Sequence, residues 1–205
     1  MTLGQGAVGG HVGVLYRVKA DAPHRHLHLA WHRQLCDEPS PDDLGWVEPA
    51  FLDDLGAVRT AACLVARRRE NGSLPYGFEP RDAAIGAEGV VRLRSASGLT
   101  CSTFVLLLFR YAGFELIDQP TWGAGTDAAR RAEDDAAQRA LVEYLRGRDP
   151  AHAACVEVEV GAIRVRAEEV AAASGIAPQP VTFEVAEPVG RRLLREVGAP
   201  AAPSV

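Results

Sequence analysis

Two β-like stretches open the chain. "HVGVLYRV", residues 11–18, is rich in β-branched and aromatic residues, and "HRHLHLAW", residues 24–31, alternates in places with period two. The link "KADAP" reads as a turn, so the two stretches predict a hairpin. The Pro/Asp-rich "CDEPSPDDLG" predicts a loop, and Pro49 opens a helix expected to run to about Glu70 and to end at Asn71-Gly72. "SLPYGFEPRDAAIGAEG" is broken by Pro and Gly into a loop with at most one short helix, and "VVRLRS" predicts a short strand.

From Phe104 to Phe109 every residue is apolar, which predicts a helix buried by protein on all sides, entered through Gly98. "IDQPTWGAGTD" predicts a loop before a long polar helix from Asp127 to Arg146, with a thin apolar stripe of Ala132, Ala136, Leu141 and Leu145. The alternation in "CVEVEVGAIRV" predicts a strand from Ala154 to Val160. "RAEEVAAASG" predicts a short helix closed by Gly175, and "PAAPSV" should fray.

Composition narrows the classes of function. With 205 residues, 47% of them hydrophobic, the chain suits one domain or one domain plus an appendage. A formal charge of -5 supplies no basic field for a phosphate backbone, so nucleic acid is not expected as a partner. Arg67, Arg68 and Arg69 would spread around a helix and read as a solvated helix end. No run of 18 or more apolar residues appears, and the N-terminus lacks a basic region followed by an apolar one. The expectation is a cytoplasmic protein without a membrane span. Cys36, Cys63, Cys101 and Cys155 lie far apart with no C-x-x-C pair, and read as reduced thiols.

Chemistry centres on Cys101. A thiol in the first turn of a helix meets free backbone N–H groups and the positive end of the helix dipole, which favour thiolate, and the same amides can hold an oxyanion. A buried helix fixes the sulfur while its end activates it, as a cysteine nucleophile requires. The alternative for this segment is a buried structural thiol. A nucleophile also needs a base. Five of the six histidines (His11, His24, His26, His28 and His32) fall within the first 32 residues. A hairpin can bring His11 and His28 together as base and orienting partner. His24, His26 and His28 would share a strand face and suggest a metal site, but "HLHLAWH" lacks the aspartate of H-x-H-x-D-H hydrolases. The preferred reading leaves His24, His26 and His32 as exposed polar positions, with no metal and no cofactor.

These residues carry a resemblance. "CSTFVLLLFRYAGFEL" resembles the cysteine helix of NlpC-type papain-like cysteine hydrolases, and "HVGVLYRV" followed by "LHLAW" is similar to the paired histidine motifs of the circularly permuted, lecithin retinol acyltransferase-like branch. In that branch, as in this chain, both histidines precede the cysteine. The resemblance implies Cys101 as nucleophile, His11 as general base and His28 as third triad member. It also implies an α+β fold with a small antiparallel sheet packed on the cysteine helix, in a single domain over 1–205 with 127–205 partly a helical and strand extension. Thr-Cys-Ser-Thr stands where the acyltransferases have Asn-Cys-Glu-His, and only the glycine-rich "MTLGQGAVGG" precedes His11.

The expected activity is therefore that of a cysteine peptidase or amidase acting through an acyl-enzyme on a peptide, amide or acyl substrate, with Trp31, Tyr76 and Ser102 as candidate substrate contacts. Acyl transfer on the same triad, a metal hydrolase built on the histidine strand, and a non-catalytic binding module are the alternatives. A protein partner is compatible with any of them through the polar helix near 127–146.

Overall fold

The computed structural model describes residues 2–6, 9–40, 45–50, 55–67, 74–80, 82–93 and 98–198. The expected helix end at Asn71-Gly72, Arg68 and Arg69 of the basic run, and the fraying "PAAPSV" tail lie outside them. The architecture is mixed α+β. Strands β1 (Thr2–Gly6), β2 (Gly9–Tyr16), β3 (Arg25–Trp31), β4 (Gln34–Pro39) and β5 (Gly45–Trp46) form one antiparallel sheet in the order β4-β3-β2-β1-β5. The β2–β3 hairpin is the one expected from the sequence. Two of its neighbours are not. The glycine-rich start pairs as β1, with Leu3 opposite Val12 and Gly4 opposite His11, and the Pro/Asp-rich segment begins with β4, which sets Cys36 opposite His28 and Glu38 opposite His26.

Helix α1 (Leu55–Arg67) begins later than Pro49, since Val47–Ala50 is irregular and the Ala50 amide donates to the carbonyl of Ser174. In place of a short helix after it, β6 (Ala84–Ile85) and β7 (Val91–Arg92) form a two-stranded ribbon. Helix α2 (Cys101–Tyr111) is the apolar helix, with Phe104, Val105, Leu107, Leu108 and Phe109 buried. The segment expected to be a loop contains α3 (Gln119–Gly125), which carries Pro120 in its first turn and buries Trp122 completely. Helix α4 (Ala128–Arg146) has Asp127 as its N-cap, but Ala132 and Ala136 are exposed. Its buried stripe is instead Asp134, Gln138, Leu141, Val142 and Leu145, because Arg164 and Arg166 pair with Asp134 and the backbone of Gly161 and Ala162 bonds Gln138.

The expected strand over Ala154–Val160 is not formed. Asp149 caps the His152 amide and Pro150 pre-sets the first turn of α5 (Pro150–Glu157), so local capping overrides a period-two pattern of valine and glutamate. Val158, which a half-buried strand would cover, is 84% exposed. Helix α6 (Ala167–Ser174) closes at Gly175 as expected, and α7 (Phe183–Gly198) follows.

Strand alternation divides the side chains of the sheet into two faces. Val12, Val14, Tyr16, Leu27 and Leu29 share one core cluster with α1, α2 and α6. His11, Gly13, His26 and His28 belong to the other face. Helices α3, α4 and α6 are tied by a buried ionic network. Glu169, 1% exposed, accepts from Trp122 Nε1 at 2.8 Å and from the Arg166 amide at 2.9 Å, and it pairs with Arg130. Asp134 receives Arg166 at 2.9 Å and Arg164 at 3.3 Å. Among the described residues no helix is long and apolar enough to cross a membrane.

Candidate active site

The polar residues around Cys101 have separate tasks. Thr100 is the N-cap of α2, and its hydroxyl accepts from the Thr103 amide at 3.1 Å while the Thr100 amide donates to Thr103 Oγ1 at 2.8 Å. This reciprocal cap fixes the first turn of the helix. Ser102 is buried, and its hydroxyl and amide donate to the Cys101 sulfur. The sulfur also receives the Val12 amide. That amide belongs to the peptide joining His11 to Val12, but Cys101 lies in the core cluster with Val12 and Val14, whereas strand alternation sends the His11 ring to the opposite face, where it hydrogen-bonds to His28. The hairpin therefore does not set the two rings against the cysteine helix as expected from the sequence. Burial pushes the Cys101 thiol up, against the pull of these donors and of the Arg164 guanidinium.

Tyr76 reaches the same helix end. Its hydroxyl accepts from the Cys101 amide and hydrogen-bonds with Sγ, and burial pushes its pKa up. The segment carrying it is clamped from both sides. The Tyr76 amide donates to His32 Nδ1 at 3.2 Å, and His152 Nε2 donates to the Tyr76 carbonyl at 2.7 Å. The Leu99 amide donates to the Pro75 carbonyl at 3.0 Å, and Gly98 lies so close that a Cβ there would stand 2.4 Å from Tyr76 backbone carbon. Only glycine admits that approach. Trp31 packs edge-on to Tyr76 at 5.7 Å and stacks on Tyr144 at 4.6 Å, in a second apolar cluster with Phe78 and Leu145.

The histidines meet on the second face of the sheet. His11 Nε2 lies 2.7 Å from His28 Nδ1, and His28 Nε2 lies 3.1 Å from Glu38 Oε1. A carboxylate only accepts, so His28 carries a proton on Nε2, and as a neutral ring it accepts at Nδ1. His11 must then donate from Nε2, which leaves its Nδ1 free to accept a proton. His26 stacks on His28 with centroids 4.1 Å apart and planes 7° from parallel. Gly13 makes room for the stack, since a Cβ there would stand 2.3 Å from His26 Nε2 and 2.8 Å from His28 Cβ.

Two positions read from sequence as exposed are not. His26 is 4% exposed with both ring nitrogens buried, and the His32 side chain is 8% exposed beneath the Tyr76 segment. The pleat sends His26 to the covered face, and the close pairing of 74–77 with 98–99 covers His32. His24 is exposed and precedes β3, apart from the other two. Sequence reasoning missed Glu38, Arg164 and Gly13. For Glu38 the signal was weak: "QLCDEP" shows no period-two alternation, and only its closing proline is compatible with an edge strand.

Burial holds His11 down at about 4 and His26 at about 3, each helped by the neighbouring His28. The unfolded chain binds these protons near pH 6.5, whereas the folded chain resists them until near pH 4 and 3. The stability linked to the two groups is therefore complete above pH 6.5 and is lost as the pH falls toward 4 for His11 and toward 3 for His26, on the order of 3 kcal/mol per histidine. The urea midpoint should fall steadily over that window, and less steeply in His26→Asn. A midpoint that stays flat from pH 6.5 to 4 contradicts the buried neutral pair.

No family model, curated protein or solved structure matches the chain. Fold and site together define a mixed α+β protein with a buried cysteine at a capped helix N-terminus and a hydrogen-bonded histidine pair on the sheet.

Proposed function

We propose that the protein is a cysteine-nucleophile hydrolase of peptidase or amidase type, with Cys101 as nucleophile, His11 as base and His28 as the residue that orients the base. The observation carrying this reading is the 2.7 Å bond between His11 Nε2 and His28 Nδ1, which commits Nε2 and leaves Nδ1 as the acceptor, in the residue whose following amide, that of Val12, donates to the sulfur. Glu38 terminates the chain of hydrogen bonds and sets its direction.

The resting pair is neutral. Burial raises the thiol and lowers the imidazole, so the ion pair favoured by the helix end alone does not form at rest. His11 Nδ1 takes the proton as the sulfur forms its bond to the carbonyl carbon, and returns it to the leaving amine or alcohol when the thioester forms. Water then cleaves the thioester by the same route. The carbonyl oxygen becomes an oxyanion between the Cys101 amide and the Tyr76 hydroxyl, which it replaces as acceptor of that amide. Along the adjoining face of α2 runs a cavity of about 460 Å³ lined by Phe78, Thr103, Leu106, Leu107, Ile163 and Val165. Its apolar walls suit the hydrocarbon part of an acyl or amide substrate.

The test is incubation with p-nitrophenyl esters of short and medium acyl chains, with the adduct located by peptide mass spectrometry. A thioester confined to Cys101 and lost in Cys101→Ala is the expected outcome. Equal acylation of Cys36, Cys63 and Cys155 would mean that Cys101 is an ordinary buried thiol.

A further inference from the structure

We propose that His26, His28 and Glu38 bind a first-row divalent metal ion of the zinc class, and that the bound ion switches Cys101 off by reversing the hydrogen-bond chain. One ligand atom from each of the three residues lies within 4.8 Å of the other two. Two imidazoles and a carboxylate are a borderline donor set suited to zinc or cobalt rather than to calcium or magnesium.

A second observation points to a ligand at this place. Both ring nitrogens of His26 are buried with no hydrogen-bond partner among the described residues, although buried polar atoms are nearly always paired. An imidazole without a partner, stacked on a second one and opposite a carboxylate across the strand pair, lacks only a cation. Glu38 Oε1 already touches His28 Nε2, and its side chain is half exposed, so it can turn toward an ion and gives that ion a way in. Cys36 lies opposite His28, but its sulfur is directed to the Gln34 carbonyl at 3.9 Å and stays outside the set. His24 is exposed before β3 and also stays outside.

The coupling to Cys101 follows from proton positions, and it rests on the hydrolase reading above. An ion on His28 Nε2 needs the lone pair there, so the single proton of the neutral ring leaves Nε2 and one is taken up from solvent at Nδ1, with no net release. In this tautomer His28 donates from Nδ1 to His11 Nε2. That bond forces the proton of His11 onto Nδ1, the nitrogen that would take the thiol proton. The base is present but in the wrong tautomer.

The full chain should be titrated with Co²⁺, following its visible absorption, with Zn²⁺ as competitor. One Co²⁺ per chain is expected, bound about tenfold or more weakly in His26→Asn and in Glu38→Gln, and unaltered in Cys36→Ala and Cys101→Ala. The half-exposed Glu38 side chain makes Glu38→Gln decisive even if His26→Asn fails to fold. Absence of binding, binding indifferent to both variants, or a sulfur-to-cobalt charge-transfer band overturns the site. In a second arm, Zn²⁺ should slow ester acylation of Cys101 at least about tenfold in the wild type and not in His26→Asn. Unchanged acylation with the ion bound overturns the switch. Failure of the hydrolase reading shows separately, as loss of selective Cys101 acylation in metal-free protein.

Discussion

His11→Ala is expected to slow acylation of Cys101 by an activated ester about 10²–10⁴-fold at pH 7. The size of the effect follows from the resting protonation state. The buried thiol is held above its ordinary pKa, so at neutral pH it has almost no thiolate to offer, and the proton must leave during attack. Without His11 the remaining acceptors near the sulfur are hydroxyls and amides that already donate to it.

The pH profile separates this role from a structural one. His11 is held at about 4, so it is neutral and able to accept throughout the range above that value. Acylation of the wild type should therefore persist down to about pH 4 rather than declining near 6.5, whereas His11→Ala should rise only as alkali ionises the thiol. Quenched-flow peptide mass spectrometry from pH 4 to 9 reads both. A variant whose rate and profile match the wild type would remove His11 from the chemistry.

Glu169→Ala should cost about 3–5 kcal/mol of stability, the largest effect expected from a single change outside the histidine face. The carboxylate serves three buried groups at once, the Trp122 indole N–H, the Arg166 amide and the Arg130 guanidinium. Its removal leaves a cation with 11% side-chain exposure and two N–H groups without their acceptor. Glu169→Gln keeps an acceptor for the neutral donors but loses the charge that matches Arg130, so an intermediate loss is expected. Urea unfolding of the two variants provides the measurement, and an alanine variant within about 1 kcal/mol of the wild type would show that water takes over these contacts. The network also holds Arg164 through Asp134, so looser packing at Glu169 should weaken the positive field at Cys101.

The histidine pair was legible because two ordinary signals coincide. A hairpin of β-branched residues on either side of "KADAP" fixes which strands are neighbours, and the positions of His11 and His28 then put both rings on one face. The cysteine helix was legible because a six-residue apolar run has no other place to go than the core. Elsewhere local patterns misled. In "CVEVEVGAIRV" a strand-like alternation gave way to the Asp149-Pro150 start of α5, whose caps act over a few residues and need no partner strand. In α4 the apolar stripe expected at Ala132 and Ala136 was displaced to Asp134 and Gln138, and no pattern within the helix could show this. The partners that allow those polar side chains to be buried lie 23 to 32 residues further along the chain.

By itself, the sequence determined the elements whose cause is local: the β2–β3 hairpin, the buried α2 with its threonine cap, and α6 with its glycine stop. It also carried the residue types for thiol and imidazole chemistry. Tertiary structure alone decided which atoms meet. Glu38 reaches His28 only because β4 pairs with β3 in that register, Tyr76 reaches Cys101 only because Gly98 lets two segments approach, and His26 loses its solvent only because the pleat sends it to a covered face. Hydrogen-bond direction and burial depend on neighbours distant in the chain, and those two properties set whether the thiol is charged, which nitrogen of His11 is free and where a metal ion would be held.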